Sequence, residues 1–170
     1  NVKTFIKKNF FFTRFDLVER FNKTKVIKNF SIPLIGKHNV QNCLASISLS
    51  KYLNISYNQI KASLKKFQGV KRRFSIILNN GENLIIDDYA HHPSEIKVTL
   101  ESLKLISKKR IIAIMEPHRY SRLSLLIKDF VESLHNANSI YILPIHTAGE
   151  TNIKEIDNEL FCKKLRKSYP

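Results

Sequence analysis

The sequence has few cysteines and lacks any long hydrophobic run. Its two cysteines, Cys43 and Cys162, lie far apart with no partner motif, which excludes a disulfide framework and a zinc knuckle. The longest strictly apolar runs, such as residues 111–115, are too short to cross a bilayer, and the lysine-rich start lacks the apolar stretch of a signal peptide. We therefore expect a protein of the reducing cytoplasm with no membrane partner.

Glycine is also scarce, and this excludes a glycine-rich phosphate loop from the chain. Such a loop has the pattern G-x-x-x-x-G-K-[ST], in which backbone N–H groups surround the phosphates. The chain has four glycines, none of which fits this spacing: Gly36, Gly69, Gly81 and Gly149. Because the chain opens with Asn1 rather than Met and ends just after a basic helical stretch, we interpret it as a piece of a longer protein.

Acidic residues are rare in the first part of the chain. Residues 1–73 carry 16 basic and 2 acidic side chains, whereas residues 74–170 carry 13 and 12. A basic nucleic-acid-binding module is therefore one hypothesis, but no binding motif is recognisable and the lysines are not interleaved with aromatics on one face. The abundance of Lys, Asn and Ile is also typical of AT-rich coding, so we expect no nucleic-acid partner.

The first part of the chain has the pattern of strands followed by two helices. Loose alternation over residues 2–35 predicts two or three antiparallel strands, with a turn at residues 22–23. Helical spacing of apolar residues then predicts a helix over residues 38–53. Ser56 and Gln59 form a capping box, which predicts a second helix directly after them.

The second part of the chain alternates between apolar strands and striped helices, which predicts an α/β fold with a mainly parallel sheet. Asn80-Gly81 favours a two-residue hairpin turn between its first two strands. The change of pattern near Arg73 predicts two domains, residues 1–72 and 73–170. The predicted elements are strands at residues 74–78, 84–86, 111–115 and 140–143, and helices from Pro93, over 123–134 and over 157–167.

Three of the predicted strands run into loops that are rich in ionisable side chains. Ligands of open α/β sheets bind beyond the carboxyl ends of the strands. Four of the six histidines lie in these loops, and Arg119 and Arg122 begin a predicted helix, where the helix dipole favours anions over cations. The sequence therefore indicates a functional site that binds an anion. The three loops are residues 87–93, 116–122 and 146–150.

Structural alternatives exist for several of these residues. Asp87 or Asp88 can simply accept hydrogen bonds from loop backbone, and His92 can be a loop side chain ahead of the proline-started helix. At the start of the first helix, His38, Asn39 and Asn42 share one face; His38 or Asn39 can be an ordinary cap, or the group can bind a purine.

A metal-dependent phosphoesterase is a further hypothesis for the loop residues. Carboxylate and imidazole side chains suit manganese or zinc. Adjacent strand residues point to opposite faces, however, so the two aspartates cannot easily share one ion. The candidate ligands are Asp87, Asp88, His91, His92 and His118.

The motifs in their order along the chain resemble those of the Mur ligases of peptidoglycan synthesis. The resemblance runs from about Leu34 to Glu150, and the segment His-Arg-Tyr-Ser-Arg favours the member that joins L-alanine to UDP-N-acetylmuramate. The motifs are Gly-Lys-His-Asn-Val-Gln-Asn at 36–42, Gly-Val-Lys-Arg-Arg-Phe at 69–74, Asp-Asp-Tyr-Ala-His-His-Pro at 87–93, Glu-Pro-His-Arg-Tyr-Ser-Arg at 116–122 and Ala-Gly-Glu at 148–150.

This resemblance implies both a fold and a reaction. Residues 1–72 are expected to be the end of a central ATPase domain, and residues 73–170 most of a Rossmann-like C-terminal domain. The reaction implied is phosphorylation of the muramoyl carboxylate by ATP, followed by attack of the alanine amine on the acyl phosphate. ATP, Mg2+, UDP-N-acetylmuramate and L-alanine are the implied cofactors and partners. The Mg2+ ligands are expected upstream, with none in this chain, and the isolated chain is expected to be inactive.

The resemblance also assigns roles to two groups of residues. The nucleotide group comprises His38, Asn39 and Asn42 at the adenine, Arg73 at the phosphates and Asp88 at the ribose or at domain closure. Arg72 is an alternative to Arg73. The acceptor group comprises Tyr89, His91, His118, Arg119 and Arg122, of which the last four are catalytic candidates.

Overall fold

The computed structural model describes residues 2–7, 10–20, 23–152 and 156–169, which form a mixed α/β structure. Contacts between Cα atoms divide the chain into two compact units, Asn1–Asp88 and Tyr89–Pro170. The hairpin that follows Arg73 lies with the first unit by this division. The predicted domain boundary at Arg73 stays a prediction. No described helix is both long enough and apolar enough to cross a membrane.

The first unit begins with an antiparallel sheet, which confirms the strands predicted there. On its inner face Phe15 and Phe30 stack with ring centroids 5.3 Å apart, and Phe30 is fully buried. The predicted turn at residues 22–23 lies partly outside the described residues, because Asn22 is not among them. The strands, in sheet order, are β1 (Val2–Lys7), β2 (Phe10–Arg20) and β3 (Thr24–Ile32).

Two helices then pack against this sheet, as the apolar spacing predicted. Helix α1 (Lys37–Tyr52) follows Gly36, whose φ of 95° favours glycine. Helix α2 (Tyr57–Lys66) has the predicted capping box: the Ser56 hydroxyl accepts from the N–H of Gln59, and the Gln59 side chain accepts from the N–H of Ser56. The helical residues buried in this core are Val40, Cys43, Ile47 and Ile60.

The hairpin of β4 (Ser75–Asn79) and β5 (Leu84–Asp87) has a longer turn than predicted. Asn79 pairs with Leu84, so four residues and not two connect the strands, and the predicted two-residue turn is wrong. The reason is the Asn80 side chain, whose Oδ1 accepts from the N–H groups two and three residues further on, at 3.1 and 2.7 Å. Such an Asx turn competes with the short Asn-Gly turn.

The second unit has the predicted alternation of helices and strands. The helix predicted as one element over residues 123–134 is divided at Leu126, whose ψ of 22° lies outside the helical range. This break accompanies full burial of both Leu123 and Phe130. The elements are α3 (Pro93–Ile106), β6 (Ile112–Met115), α4 (Tyr120–Leu125), α5 (Ile127–Ser133), β7 (Ser139–Ile142) and α6 (Asn158–Ser168).

Strands β6 and β7 form the parallel pair of the second unit. Among the described residues, β6 pairs with β7 in parallel, and the parallel bridge between His118 and His146 extends this pairing. Strand β5 pairs with β4 in an antiparallel hairpin, as predicted. An apolar run indicates a strand but does not specify its partner, and the short connection favours local antiparallel pairing.

One face of the β6–β7 pair is covered by the helical core of the second unit. Phe130 and Phe161 are fully buried there, with ring centroids 6.2 Å apart. The opposite face of β6 exposes Ile112 and Ile114. The layering leaves the carboxyl ends of β6 and β7 side by side, and the loops that follow them emerge together.

Candidate functional site

A row of histidine rings lies at the carboxyl ends of β6 and β7. His118 follows β6 and His146 follows β7, and their ring centroids are 4.8 Å apart. The His91 ring lies 6.0 Å from that of His118, and the Tyr89 ring lies 5.3 Å from that of His91. The structure therefore brings Tyr89, His91 and His118 together, as the loop positions predicted.

Backbone hydrogen bonds hold the two strand-end loops against each other. The N–H of Arg119 donates to the carbonyl of His146 at 2.8 Å, and the N–H of His146 donates to the carbonyl of Pro117 at 2.8 Å. These bonds continue the parallel pairing of β6 and β7 beyond the strands. The side chains that follow β6 are thereby fixed relative to the loop at residues 146–150.

The environment of His118 favours its neutral imidazole. Burial lowers the pKa of His118, and repulsion from His146 and Arg122 lowers it further. Its Nδ1 atom is buried and has no hydrogen-bond partner in the described part of the chain. A neutral imidazole in this position can accept a proton or a hydrogen bond from a ligand.

The two arginines of this loop occupy different positions. Arg119 is the residue before α4, with a φ of 72° that non-glycine residues rarely adopt, and its guanidinium lies 3.9 Å from the Glu150 carboxylate. Arg122 is in the first turn of α4 and donates to the carbonyl of His118 at 3.4 Å. Both arginines therefore lie at the start of the helix, as predicted, with Arg119 as its N-cap.

Glu150 supplies the acidic group that the start of α4 lacks. Its carboxylate accepts from the N–H of Ser121 at 2.9 Å and from the Ser121 hydroxyl at 2.7 Å. These two hydrogen bonds lower the pKa of Glu150. The two arginines predicted a bound anion, and the carboxylate of Glu150 is one anionic group that lies beside Arg119.

In the first unit, the residues predicted to bind the adenine lie at the start of α1. The Asn39 amide donates to the carbonyl of Ile35 at 2.7 Å, and the side chain of Asn42 is exposed. Burial lowers the pKa of His38, and the negative charge of Asp88 partly opposes this shift. A half-buried, neutral imidazole therefore lies beside an exposed amide on one helical face.

Asp87 and Asp88 have different partners within the first unit. The Asp88 carboxylate accepts from the N–H of Phe74 at 3.0 Å, and the Asp87 carboxylate lies 3.4 Å from Nε of Arg72. Arg72 and Phe74 have φ values of 57° and 50°, so the segment that carries Arg73 has a strained backbone. The loop-backbone interpretation of Asp88 is confirmed.

The structure does not support the metal-site hypothesis. No group of three or more metal-ligating side chains occurs among the residues it describes. His92 is the N-cap of α3: its Nδ1 accepts from the N–H of Ser94 at 3.4 Å and lies 2.9 Å from the Ser94 hydroxyl. The structural interpretation of His92 is therefore confirmed.

Comparison with known protein families identifies the chain. The family described as "Mur ligase, glutamate ligase domain" matches residues 72–169, which is more than half of the chain. The chain belongs to the Mur ligase family.

Proteins named UDP-N-acetylmuramate–L-alanine ligase are similar to most of this Mur ligase chain. The Brachyspira hyodysenteriae protein is 45% identical over 148 residues, and the Gloeobacter violaceus protein is 37% identical over 146 residues; each match covers 86% of this chain and 32% of the relative. The crystal structure of the Thermotoga maritima UDP-N-acetylmuramate-alanine ligase matches with a TM-score of 0.67 at 28% identity, covering 86% of this chain and 32% of that one. The chain thus spans about a third of the length of these relatives.

The sequence predicted most of the side chains that gather at the carboxyl ends of β6 and β7, but not the contact made by Glu150. The Ala-Gly-Glu motif was recognised as a motif without a role for its carboxylate. A signal was present, because the first turn of α4 has no acidic residue to satisfy its N–H groups. His146 was recognised only as a member of its loop, and its carbonyl proves to hold the N–H of Arg119.

The pKa of His118 predicts a pH dependence of stability for this Mur ligase chain. Because the folded state holds this histidine neutral, its contribution is complete above the unfolded pKa of about 6.5 and is lost as the pH falls through that value toward the lowered folded pKa. We expect His118→Asn to lose less stability than wild type between pH 7.5 and pH 5.5 in urea unfolding. The exposed His135 provides the control, and His135→Asn should retain the wild-type loss. An identical loss in His118→Asn and wild type would contradict the prediction.

The turn that presents Glu150 predicts a local effect of a glycine substitution. Ala148 and Gly149 have φ values of 52° and 81°, and the N–H of Glu150 donates to the carbonyl of Thr147 at 3.0 Å, as in a type I′ turn. Gly149→Ala is expected to cost about 1 kcal/mol from backbone strain and to speed hydrogen exchange at the Ser121 amide.

Gly81→Ala is the matched control for this experiment. Gly81 has a φ of 84° in the hairpin of the first unit, and an added Cβ meets nothing within 4 Å at either glycine. The control should lose similar stability and leave the Ser121 amide unchanged. Unchanged exchange in Gly149→Ala would show that the turn does not support the Glu150 contact.

Proposed function

We propose that this chain is part of an ATP-dependent ligase that joins L-alanine to the carboxylate of UDP-N-acetylmuramate in peptidoglycan precursor synthesis. The names of the relatives support this proposal. The observation that carries it is the gathering of Tyr89, two histidines and two arginines where β6 and β7 end. A cytoplasmic location, and a boundary between a central domain at 1–72 and a C-terminal domain at 73–170, belong to the same proposal.

In this proposal the acceptor amino acid is held by the second unit. Arg119 and Arg122 bind the alanine carboxylate, because a guanidinium can grip a carboxylate with two parallel hydrogen bonds. Tyr89 lines the same site, and His91 or His118 aligns the amine with the acyl phosphate. Catalysis then depends mainly on positioning and on charge.

The charge around His118 suits the state of the amine that must react. Free alanine carries an ammonium group, which cannot attack until it has lost a proton. The neutral imidazole of His118 can accept that proton, and the nearby guanidinium of Arg122 disfavours a positive charge on the amine. The lowered pKa of His118 keeps its imidazole neutral, so that it can accept a hydrogen bond from the amine and align it.

The nucleotide is held by the first unit in the same proposal. His38, Asn39 and Asn42 contact the adenine, for which a neutral imidazole face and side-chain amides are suitable partners. Asp88 binds the ribose or anchors domain closure, and Arg73 reaches the phosphates. Mg2+, which would neutralise charge on the phosphates, is assigned to other parts of the longer enzyme.

The acceptor specificity of the full-length enzyme tests this function. Phosphate release from ATP in the presence of UDP-N-acetylmuramate should require L-alanine, with glycine, L-serine and L-glutamate as competing acceptors. We expect the highest kcat/KM for L-alanine. Preference for L-glutamate, or release that does not depend on UDP-N-acetylmuramate, would contradict the proposed reaction.

A further inference from the structure

Glu150 joins the two strand-end loops of the second unit through side-chain hydrogen bonds. Its carboxylate receives two hydrogen bonds from Ser121, at 2.9 Å from the N–H and at 2.7 Å from the hydroxyl. The side chain of Arg119, the N-cap residue of α4, makes no capping hydrogen bond. Glu150 therefore provides from another loop the cap that the helix does not supply itself.

The segment held by Glu150 includes a strained residue. Arg119 has a φ of 72° and a ψ of 131°, a conformation that costs free energy and persists only when neighbouring contacts enforce it. The N–H of Arg119 is bound by the His146 carbonyl at 2.8 Å, and Ser121 is bound by Glu150. The loop at residues 146–150 thus fixes Arg119 from both sides.

Glu150 also orients the guanidinium of Arg119 electrostatically. The distance of 3.9 Å between Nη1 of Arg119 and Oε1 of Glu150 exceeds that of a hydrogen bond, so the attraction orients the group without using its donors. The Arg119 side chain is half exposed. The hydrogen bonds from Ser121 keep the carboxylate ionised. Arg119 is thereby oriented by charge while its side chain stays half exposed.

We propose that Glu150 is a positioning residue, which fixes the backbone and guanidinium of Arg119 for the carboxylate of the acceptor amino acid. The inference rests on the proposed function, because that function assigns the amino acid to Arg119. The inference adds Glu150 to the proposed site as a residue that does not touch the substrate and acts through the side chain of Arg119. The expected signature is a change in the requirement for alanine that depends on the presence of Arg119.

Steady-state kinetics of Glu150→Gln in the full-length enzyme provide the first test. The substitution removes the charge and keeps a similar shape, and we expect it to raise the KM for alanine about tenfold while the KM for ATP changes less than about twofold. Asp157→Asn is the matched control, since Asp157 caps α6 by accepting from the N–H of Leu160 at 2.7 Å. The control removes a charged cap elsewhere and should leave both KM values unchanged. Equal effects of the two variants would overturn the positioning role.

A double-mutant cycle separates positioning from general stabilisation. In an Arg119→Ala background, Glu150→Gln should have little further effect on the KM for alanine, because the side chain through which it acts is gone. Additive effects of the two substitutions would overturn the proposal. Arg119→Ala alone tests the proposed function. If this variant leaves the alanine requirement unchanged, both the assignment of alanine to Arg119 and the positioning role of Glu150 are wrong. An impaired Arg119→Ala beside an unchanged Glu150→Gln would overturn only the positioning role.

Discussion

Replacing Arg119 or Arg122 by alanine in the full-length ligase is expected to reduce kcat/KM for L-alanine by tens to hundreds of fold. In the proposed function each change removes a charge-assisted contact to the alanine carboxylate, which is worth about 2 to 4 kcal/mol in transition-state binding. The effect should appear as a higher KM for alanine, whereas the KM for ATP should stay near the wild-type value. Initial rates of phosphate release, with each substrate varied in turn, measure this difference.

Arg110 offers a matched control in the same unit. Its guanidinium donates to the Ser139 hydroxyl at 2.5 Å, and Arg110 precedes β6, at the end opposite to the histidine row. Arg110→Ala should leave both KM values unchanged. If Arg119→Ala and Arg122→Ala instead weaken ATP and leave alanine unaffected, the arginines belong to the nucleotide side and the acceptor assignment is wrong.

The 170-residue chain by itself is expected to release no alanine-dependent phosphate from ATP. Ligation requires a cradle for the β and γ phosphates, and no glycine of this chain has the spacing of a phosphate loop. The proposed function assigns the adenine to residues at the start of α1, which the chain retains. We expect weak ATP binding in a calorimetric titration and no product in a ligation assay.

A substitution on α1 makes this second prediction more specific. Asn42→Ala should abolish the weak ATP binding of the chain, whereas Ser46→Ala, one turn further along α1, should not. Alanine-dependent phosphate release by the isolated chain would contradict the prediction. It would mean that residues outside any recognised phosphate loop position the γ-phosphate.

The elements predicted best were those with strong local signals. The Ser56–Gln59 capping box specifies the start of α2, and Asp157 caps α6 within one residue of the predicted helix start. Pro93 likewise begins α3 at the predicted position. These signals are local because both partners of each capping contact lie within one helical turn.

The errors arose where a distant contact or a side chain competed with the local pattern. The Asn80 side chain lengthened the hairpin turn, and burial of Leu123 and Phe130 accompanied a break that the apolar stripe did not indicate.

The candidate site could be predicted to the level of its loops but not of its contacts. The rule that ligands bind beyond the carboxyl ends of strands was enough to predict that His91, His118 and the two arginines belong to one site. The positive φ of Arg119 and the reach of Glu150 across 29 residues to Ser121 follow from tertiary packing. No sequence spacing encodes them.

A rapid-quench measurement of the first chemical step tests the central claim, that the arginine pair serves the amino acid and not the nucleotide. The full-length enzyme with both Arg119→Ala and Arg122→Ala is mixed with ATP and UDP-N-acetylmuramate without alanine, and the acyl phosphate is quantified. We predict formation at the wild-type rate, followed by slow transfer when alanine is added. Loss of acyl phosphate formation in the double variant would contradict the account, because the arginines would then act on the phosphoryl transfer itself.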